Sequence, residues 1–359
     1  MVYVNARFLS QDITGVQRFA IELSQKLNEQ RHDVVFLAPD NIKYNEVTKR
    51  LDIQTIGKNN GHFWEQVDLP VYLRKNGSPL LVNFCNTAPL FYKNKIITLH
   101  DAAYKRFPQS YNFKFRQSYN FIIPKLIANS RAVLTVSQFA KNELEYFFNI
   151  PKERCHVIYN AASSLFHPKV GAKDSVVPEK YFLAVASQQY HKNFEGLIAA
   201  FACVPEQSGF KLKIVGAQHK NYQGVESIFA SSSSVNNVEF LGRVDDHTLS
   251  ELYRRAFAFV FPSFYEGFGI PPLEAQASGC PVIASSAAAM PEVLQDSVIY
   301  FDPHDRNSLV NALESAIENQ SERQRYVEAG YKNVARFSWE NSASCLNRII
   351  KGLSLGEGI

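Results

Sequence analysis

Two glutamates eight positions apart, Glu266 and Glu274, stand in the stretch Pro262-Ser263-Phe264-Tyr265-Glu266-Gly267-Phe268-Gly269-Ile270-Pro271-Pro272-Leu273-Glu274-Ala275. A carboxylate accepts hydrogen bonds from hydroxyls, and two carboxylates turned to one ligand suit the paired hydroxyls of a sugar or a ribose. Between them, Gly267 and Gly269 let backbone N–H groups approach a ligand closely. The elements that must position these groups are legible on either side. Arg255-Ala256-Phe257-Ala258-Phe259-Val260-Phe261 is apolar and aromatic, as a buried strand is. Pro271 or Pro272 suits the first turn of a helix, and Gly279 its C-terminal cap. Cys280-Pro281-Val282-Ile283-Ala284 is a second apolar strand. The order strand, glycine loop, helix, strand places a helix N-terminus beneath the loop, where free N–H groups favour an anion. A G-x-G after a strand is common, and a glutamate early in a helix also complements the helix dipole. On these facts alone a structural role and a ligand site stand side by side.

The whole stretch resembles the E-x7-E signature of the retaining nucleotide-sugar glycosyltransferases called glycosyltransferase family 4, bacterial surface-polysaccharide type. The likeness continues on both sides, through Phe240-Leu241-Gly242-Arg243-Val244 before it and Gly279-Cys280-Pro281-Val282-Ile283-Ala284 and Met290-Pro291-Glu292-Val293 after it. The resemblance implies a GT-B fold: two Rossmann-like, doubly wound α/β domains facing a cleft that holds the donor nucleotide.

Other positions carry chemistry under the same resemblance. Thr14-Gly15-Val16-Gln17-Arg18 lies between the first strand and the first helix, where the Gly15 N–H can reach an anion. It resembles the family's N-terminal glycine loop near the donor phosphates and the acceptor. Arg18 is either an acceptor contact or a helix-surface cation. His100-Asp101 directly follows a strand and resembles the family's histidine beside the donor sugar, with Asp101 orienting it or the loop. Lys192, in Tyr190-His191-Lys192-Asn193-Phe194, resembles the lysine that neutralises the donor diphosphate. Many relatives carry Gly-Arg or Gly-Thr after the preceding strand, and this chain has Ala186-Ser187-Gln188. Either Ser187 and Gln188 bind phosphate as neutral donors, or an arginine such as Arg243 arrives from elsewhere. Val244 resembles the position whose backbone reads the nucleobase. Asn160 is either the family's hinge asparagine or an ordinary turn residue.

At 359 residues the chain is long enough for two α/β domains with separate cores. Five cysteines without C-x-x-C spacing argue against zinc and against a disulfide framework, and fit a reducing cytosol. The N-terminus, Met1-Val2-Tyr3-Val4, starts a strand and does not resemble a signal peptide. No apolar run approaches the roughly 20 residues that span a bilayer, so a soluble or peripheral protein is expected. The net charge of +4 is uneven, since the first 168 residues hold 21 Lys and Arg against 13 Asp and Glu. Most of that excess comes from one window, Ala102 to Asn142, which has no carboxylate. There Lys105, Arg106, Lys114, Arg116 and Lys125 are interleaved with Tyr104, Phe107, Tyr111, Phe113, Phe115, Tyr119 and Phe121. Such interleaving suits an anionic membrane surface or a phosphorylated lipid; a solvated basic face over an aromatic stripe is the plainer reading. No nucleic-acid motif is present.

Along the chain, strands alternate with helices, which means parallel sheets with ligands at the strand C-termini. Strands are expected at Val2–Arg7, Val34–Ala38, Leu80–Phe84, Lys95–Leu99, Ala132–Val136, His156–Tyr159, Tyr181–Ala186 and Lys211–Val215. Helices are expected at Gly15–Asn28, after Ser137 as N-cap, at Asn193–Phe201, and at Asn341–Lys351 with Gly352 as its cap. The expected domains are 1–165, an acceptor domain, and 166–340, a nucleotide-sugar donor domain. Residues 341–359 return to the first, Ser164–Pro178 forms the linker, and Ser231–Ser234 a loop. The function so read is a retaining transfer, without cofactor or metal, since no D-x-D motif is evident. A hexose, GDP-mannose before a UDP-sugar, passes to an undecaprenyl-diphosphate-linked oligosaccharide of a surface polysaccharide, at the inner face of the cytoplasmic membrane. In that reading His100 and Glu266 meet the sugar, Glu274 the ribose, and Gly15, Ser187, Lys192, Val244, Gly267, Phe268 and Gly269 the rest of the donor. The alternatives are a nucleotide-sugar 2-epimerase and a non-catalytic sugar-nucleotide-binding protein.

Overall fold

The structure, a computed structural model, describes residues 1–43, 49–167, 178–185, 189–216 and 237–355. The Ser187 and Gln188 assignments, the Ser231–Ser234 loop and residues 168–177 of the expected linker lie outside the described residues. The chain forms two compact units, Met1–Asn160 with the residues from Ser338 on, and Ala161–Phe337.

In the first unit, β1 (Val2–Asn5), β2 (Val34–Ala38), β3 (Ile53–Thr55), β4 (Leu80–Val82), β5 (Lys95–Thr98), β6 (Ala132–Thr135) and β7 (Cys155–Val157) form one sheet in the order β3-β2-β1-β4-β5-β6-β7. Every pair is parallel. Apolar runs buried on both faces are what a parallel sheet covered by helices requires. Helices α1 (Gly15–Gln30), α2 (Phe113–Ala128) and α3 (Gln138–Phe148) accompany it, and Ser137 caps α3 by accepting from Ala140 N at 2.9 Å. The edge strand β3 escapes sequence reading because Gln54 and Thr55 are exposed and carry no apolar alternation.

The C-terminal helix runs Trp339–Leu355, longer at both ends than expected. It packs on α1 through Trp339, whose ring meets Phe19 edge-on at 5.9 Å, and through Lys26, paired with Glu340 at 2.9 Å. Gly352 does not cap this helix; the helix continues through it. Burial of Ile349 and Ile350 just before it holds that face down, and Ser354 Oγ donates back to Ile350 O. A helical glycine costs only about 1 kcal/mol, less than two buried isoleucines contribute.

In the second unit, β8 (Tyr181–Val185), β9 (Lys211–Val215), β10 (Val238–Gly242), β11 (Ala258–Phe261), β12 (Val282–Ser285) and β13 (Ile299–Phe301) form a parallel sheet in the order β10-β9-β8-β11-β12-β13. Its helices include α4 (Phe194–Phe201), α5 (Asp246–Arg255), α6 (Ile270–Ala277), α7 (Arg306–Glu318) and α8 (Arg323–Val334). Strand β11 starts later than its apolar run suggests, because Arg255 closes α5. Phe182, Phe201, Leu212, Phe257, Ile283 and Leu313 belong to one buried core. Both sheets are doubly wound: strand order reverses between β1 and β4 in the first unit and between β8 and β11 in the second.

Candidate functional site

A reversal of strand order leaves a crevice at the strand C-termini, because the two flanking crossovers leave in opposite directions. In the second unit β8 and β11 flank that point, with Phe182 beside Ala258 and Leu183 beside Phe259. The segments that leave these two strands carry Lys192 and Glu266. Lys192 ends a one-turn 3-10 helix, Tyr190–Lys192, and Asn193 follows in the left-handed region at φ 56° before α4 begins at Phe194. Lys192 Nζ lies 2.6 Å from Glu266 Oε1, with both side chains largely buried. Ser263 Oγ donates to the same oxygen at 2.8 Å. The residue types foreshadow a phosphate-binding cation and a hydroxyl-binding carboxylate; the structure brings the two together as an ion pair.

The segments themselves are laced. Phe264 N donates to His191 O at 2.8 Å, Asn193 Nδ2 donates to Pro262 O at 3.1 Å, and the Phe264 ring stacks on His304 at 5.0 Å. His191 is buried, and its pKa is pushed down to about 4 by loss of hydration and then by the Lys192 charge. It is therefore neutral at pH 7 and adds no charge beside Lys192.

Glycine is required at 269. Its φ is 89°, and a Cβ there would lie 2.7 Å from Met290 Cε and 3.3 Å from Phe261 Cε1. Gly267 and Phe268 are buried, and Phe268 meets the Phe337 ring edge-on at 5.5 Å. Pro271 and Pro272 fill the second and third positions of α6 and carry no N–H. The two prolines therefore remove two of the N–H groups that the first turn of a helix otherwise offers an anion. Gly279 closes α6 in a Schellman arrangement: Cys280 N donates to Ala275 O and Gly279 N to Gln276 O, at 2.9 and 3.0 Å. Glu274 sits in the middle of α6, 4% exposed, and accepts from the buried Tyr253 hydroxyl at 3.4 Å. Val244 is half-buried just before Asp245, which caps α5 by accepting from Thr248 N at 2.7 Å. Ser263, His191, Asn193 and Tyr253 were not expected. Ser263, three residues before Glu266, was readable from spacing; the others come from tertiary packing.

In the first unit, Gly15 is the exposed first residue of α1. Thr14 is the N-cap, Gln17 Oε1 accepts from Thr14 N at 3.2 Å, and Gln17 Nε2 donates to Gln11 Oε1 at 3.0 Å. The reciprocal cap fixes the loop before any ligand arrives. Arg18 is half-exposed on the next turn. His100 follows β5 and is 8% exposed. Its backbone N donates to Asn86 Oδ1 at 2.9 Å, and its ring meets Phe19 edge-on at 5.0 Å. Nε2 lies 2.9 Å from Phe84 O. A carbonyl only accepts, so Nε2 carries the hydrogen and Nδ1 holds the lone pair. Burial pushes the pKa down to about 4, so this tautomer persists at neutral pH. Asp101 Oδ1 accepts from Ala103 N at 2.9 Å and so anchors the turn that follows.

The basic residues divide. Arg106 is committed to Glu143, with two hydrogen bonds of 2.7 Å, and its guanidinium lies over the Phe147 ring at 4.9 Å. Lys105 lies against Tyr104 and Phe148. Lys114 and Lys125 are exposed and Arg116 is half-buried on α2, with Phe113 66% and Phe121 58% exposed beside them. Among the described residues no helix is long and apolar enough to cross a membrane.

Residues 13–163 match the family model described as Glycosyltransferase Family 4, and residues 167–333 that described as Glycosyl transferases group 1. The chain is 30% identical over 273 residues to the O-antigen chain mannosyltransferase RfbU of Salmonella typhimurium, across 76% of this chain and 73% of that protein. It is 29% identical over 282 residues to O-antigen chain mannosyltransferase B of Escherichia coli, across 74% of this chain and 73% of that protein. In fold it is similar to Anabaena Alr3699/HepE, solved in complex with UDP and glucose, with a TM-score of 0.75, 16% identity and 98% coverage of both chains. The two Rossmann-like units are those of a GT-B glycosyltransferase.

Proposed function

Because the chain belongs to the glycosyl transferases group 1 family and is a glycosyltransferase, we propose that it moves mannose from GDP-mannose to a lipid-linked oligosaccharide of a surface polysaccharide. The sugar and pathway are drawn from the two O-antigen mannosyltransferases to which it is similar over three quarters of its length. The observation that carries the site is the Lys192–Glu266 pair beside the Gly267–Gly269 loop, at the order reversal of the second sheet. Lys192 supplies positive charge for the donor diphosphate, and the loop amides supply neutral hydrogen bonds to it. Glu266 accepts from hydroxyls of the sugar, with Ser263 holding its carboxylate. Glu274, fixed by Tyr253, accepts from the ribose hydroxyls, and Val244 lies at the nucleobase.

On the first unit, His100 Nδ1 accepts a hydrogen bond from a sugar hydroxyl. A neutral imidazole there offers a lone pair and carries no charge. The transfer retains configuration: the new bond forms on the face the phosphate leaves, and the departing phosphate takes the acceptor's proton. No protein nucleophile is assigned, and water is kept out when the site closes. The acceptor is an undecaprenyl-diphosphate-linked chain, presented at an anionic membrane surface on the cytoplasmic side. Exposed Phe113 and Phe121 among Lys114, Arg116 and Lys125 on α2 support docking there, since aromatic rings and cations together suit the headgroup region.

The test is thermal unfolding with GDP-mannose, UDP-glucose and dTDP-glucose in metal-free buffer. A ligand that binds only the folded state raises the melting temperature. A rise with GDP-mannose alone supports the reading. A rise with UDP-glucose alone overturns the donor, and no rise with any of them overturns the site.

A further inference from the structure

The second unit has another concavity, at the N-terminal ends of its strands and so at the opposite sheet edge from the glycine loop. It is a cavity of about 90 Å3, walled by Phe257, Ile283, Ile299 and Ala316 and bordered by Arg323 and Tyr326. One water needs roughly 10–15 Å3 on this measure, so there is room for a ligand of several heavy atoms. The wall is largely apolar, and its polar border carries Ser315, Asn319, Glu322 and Tyr326 besides the Arg323 cation.

Arg323 opens α8, and its guanidinium is incompletely satisfied. Nε is shielded from solvent and has no hydrogen-bond partner among the described residues, while Nη2 reaches only Ala256 O at 3.5 Å. The adjacent carboxylate, Glu322, also borders the cavity but accepts from Arg325 at 2.7 Å. The acidic groups that act on Arg323 are the Cys280 thiol and the Tyr331 phenol, and burial keeps both protonated. A half-buried guanidinium with no counter-ion among the described residues is a costly arrangement that an anion relieves. Nη1 is neither shielded as Nε is nor bonded to Ala256 as Nη2 is, so it is the guanidinium nitrogen that a carboxylate can reach with a charge-assisted hydrogen bond.

We propose that this cavity binds a small organic carboxylate, with its apolar body against Phe257, Ile283 and Ile299 and its carboxylate on Arg323. A single cation next to Glu322 matches a monoanion; a phosphate dianion would meet Glu322 as well. The site is separate from the donor site, yet β11 joins them, beginning at the cavity wall and ending at the glycine loop.

Hexanoate is the probe, and hexanamide, neutral and of the same shape, is its control. In unfolding of the full chain at matched ionic strength, about 20 mM hexanoate should raise the melting temperature by about 2 °C or more, and hexanamide should not. Arg323→Gln should abolish the rise, as should Ala316→Leu, which fills the cavity and keeps the guanidinium. Arg325→Gln should leave it intact. No rise, an equal rise with hexanamide, or a rise that survives both Arg323→Gln and Ala316→Leu overturns the proposal. Because no nucleotide is present, the outcome does not depend on the sugar donor.

Discussion

Glu266→Gln is expected to do two opposite things: tighten the binding of bare GDP and abolish sugar transfer. Lys192 Nζ and Glu266 Oε1 are 2.6 Å apart, with side chains 17% and 13% exposed. At that distance the Coulomb attraction is about 6 kcal/mol for an effective dielectric of 20 and under 2 kcal/mol in bulk water. Desolvation of both charges offsets much of it, leaving a net contribution of about 1–3 kcal/mol. A diphosphate that recruits Lys192 must overcome this pairing. Replacing the carboxylate by an amide keeps the shape, removes the charge and releases the lysine. Each 1.4 kcal/mol is tenfold in affinity, so GDP should bind roughly 5- to 100-fold tighter to Glu266→Gln. Titration calorimetry reads this directly. Transfer from the intact donor should fall at least ~100-fold in kcat, because the sugar hydroxyls lose their acceptor. Lys192→Met should weaken GDP in both backgrounds, which separates release of the lysine from a general change in the loop. If Glu266→Gln binds GDP no more tightly than the parent, Lys192 does not choose between Glu266 and phosphate, and the assignment of the lysine fails.

Gly269→Ala should destabilise the fold by about 2 kcal/mol, since a left-handed residue acquires a Cβ that Met290 must yield to; adding Met290→Ala should recover part of the loss in urea titrations. Acid should weaken the protein through His100 and His191. Both folded-state pKa values, about 4, lie below the ordinary 6.5. Their stabilisation is therefore present above pH 6.5 and is lost as pH falls from 6.5 towards 4, by up to about 3 kcal/mol each. His100→Asn should flatten the stability profile across that window, and an unchanged slope in chemical unfolding would contradict the burial argument. Replacing Lys114, Arg116 and Lys125 together by Ser should cut binding to phosphatidylglycerol vesicles at least ~10-fold while leaving GDP-mannose binding unchanged; equal vesicle binding would remove α2 as the docking surface.

What was legible in the sequence was what local chemistry dictates. The apolar runs marked β5, β8, β11 and β12, and Gly279 and Ser137 marked helix ends, because buried strands and caps need those residue types. The Glu266–Gly269 loop was readable for the same reason. Pairing was not: nothing local tells that Lys192 turns to Glu266, that Arg106 is spent on Glu143, or that Tyr253 reaches Glu274. Each bond joins residues far apart in the chain, and only the sheet order sets their distance. The two prolines of α6 were read as a helix start, correctly, but their missing N–H groups thin the very anion site that a helix start suggests. The tautomer of His100 likewise needs Phe84 O, which no spacing rule places.

The return of the C-terminal helix to α1 bears on the order in which a ribosome can build the protein. The first unit leaves the tunnel without the surface that covers Phe19 on one side, because Trp339 and the buried Leu346, Ile349 and Ile350 are made only after the whole second unit. During that interval the nascent α1 presents apolar surface to whatever is nearby, which makes it a natural stretch for a chaperone to hold. The second unit, continuous from Ala161 to Phe337, is free to fold in the meantime. Emergence of the Trp339–Leu355 helix, rather than completion of the first sheet, is then the event that seals the first unit.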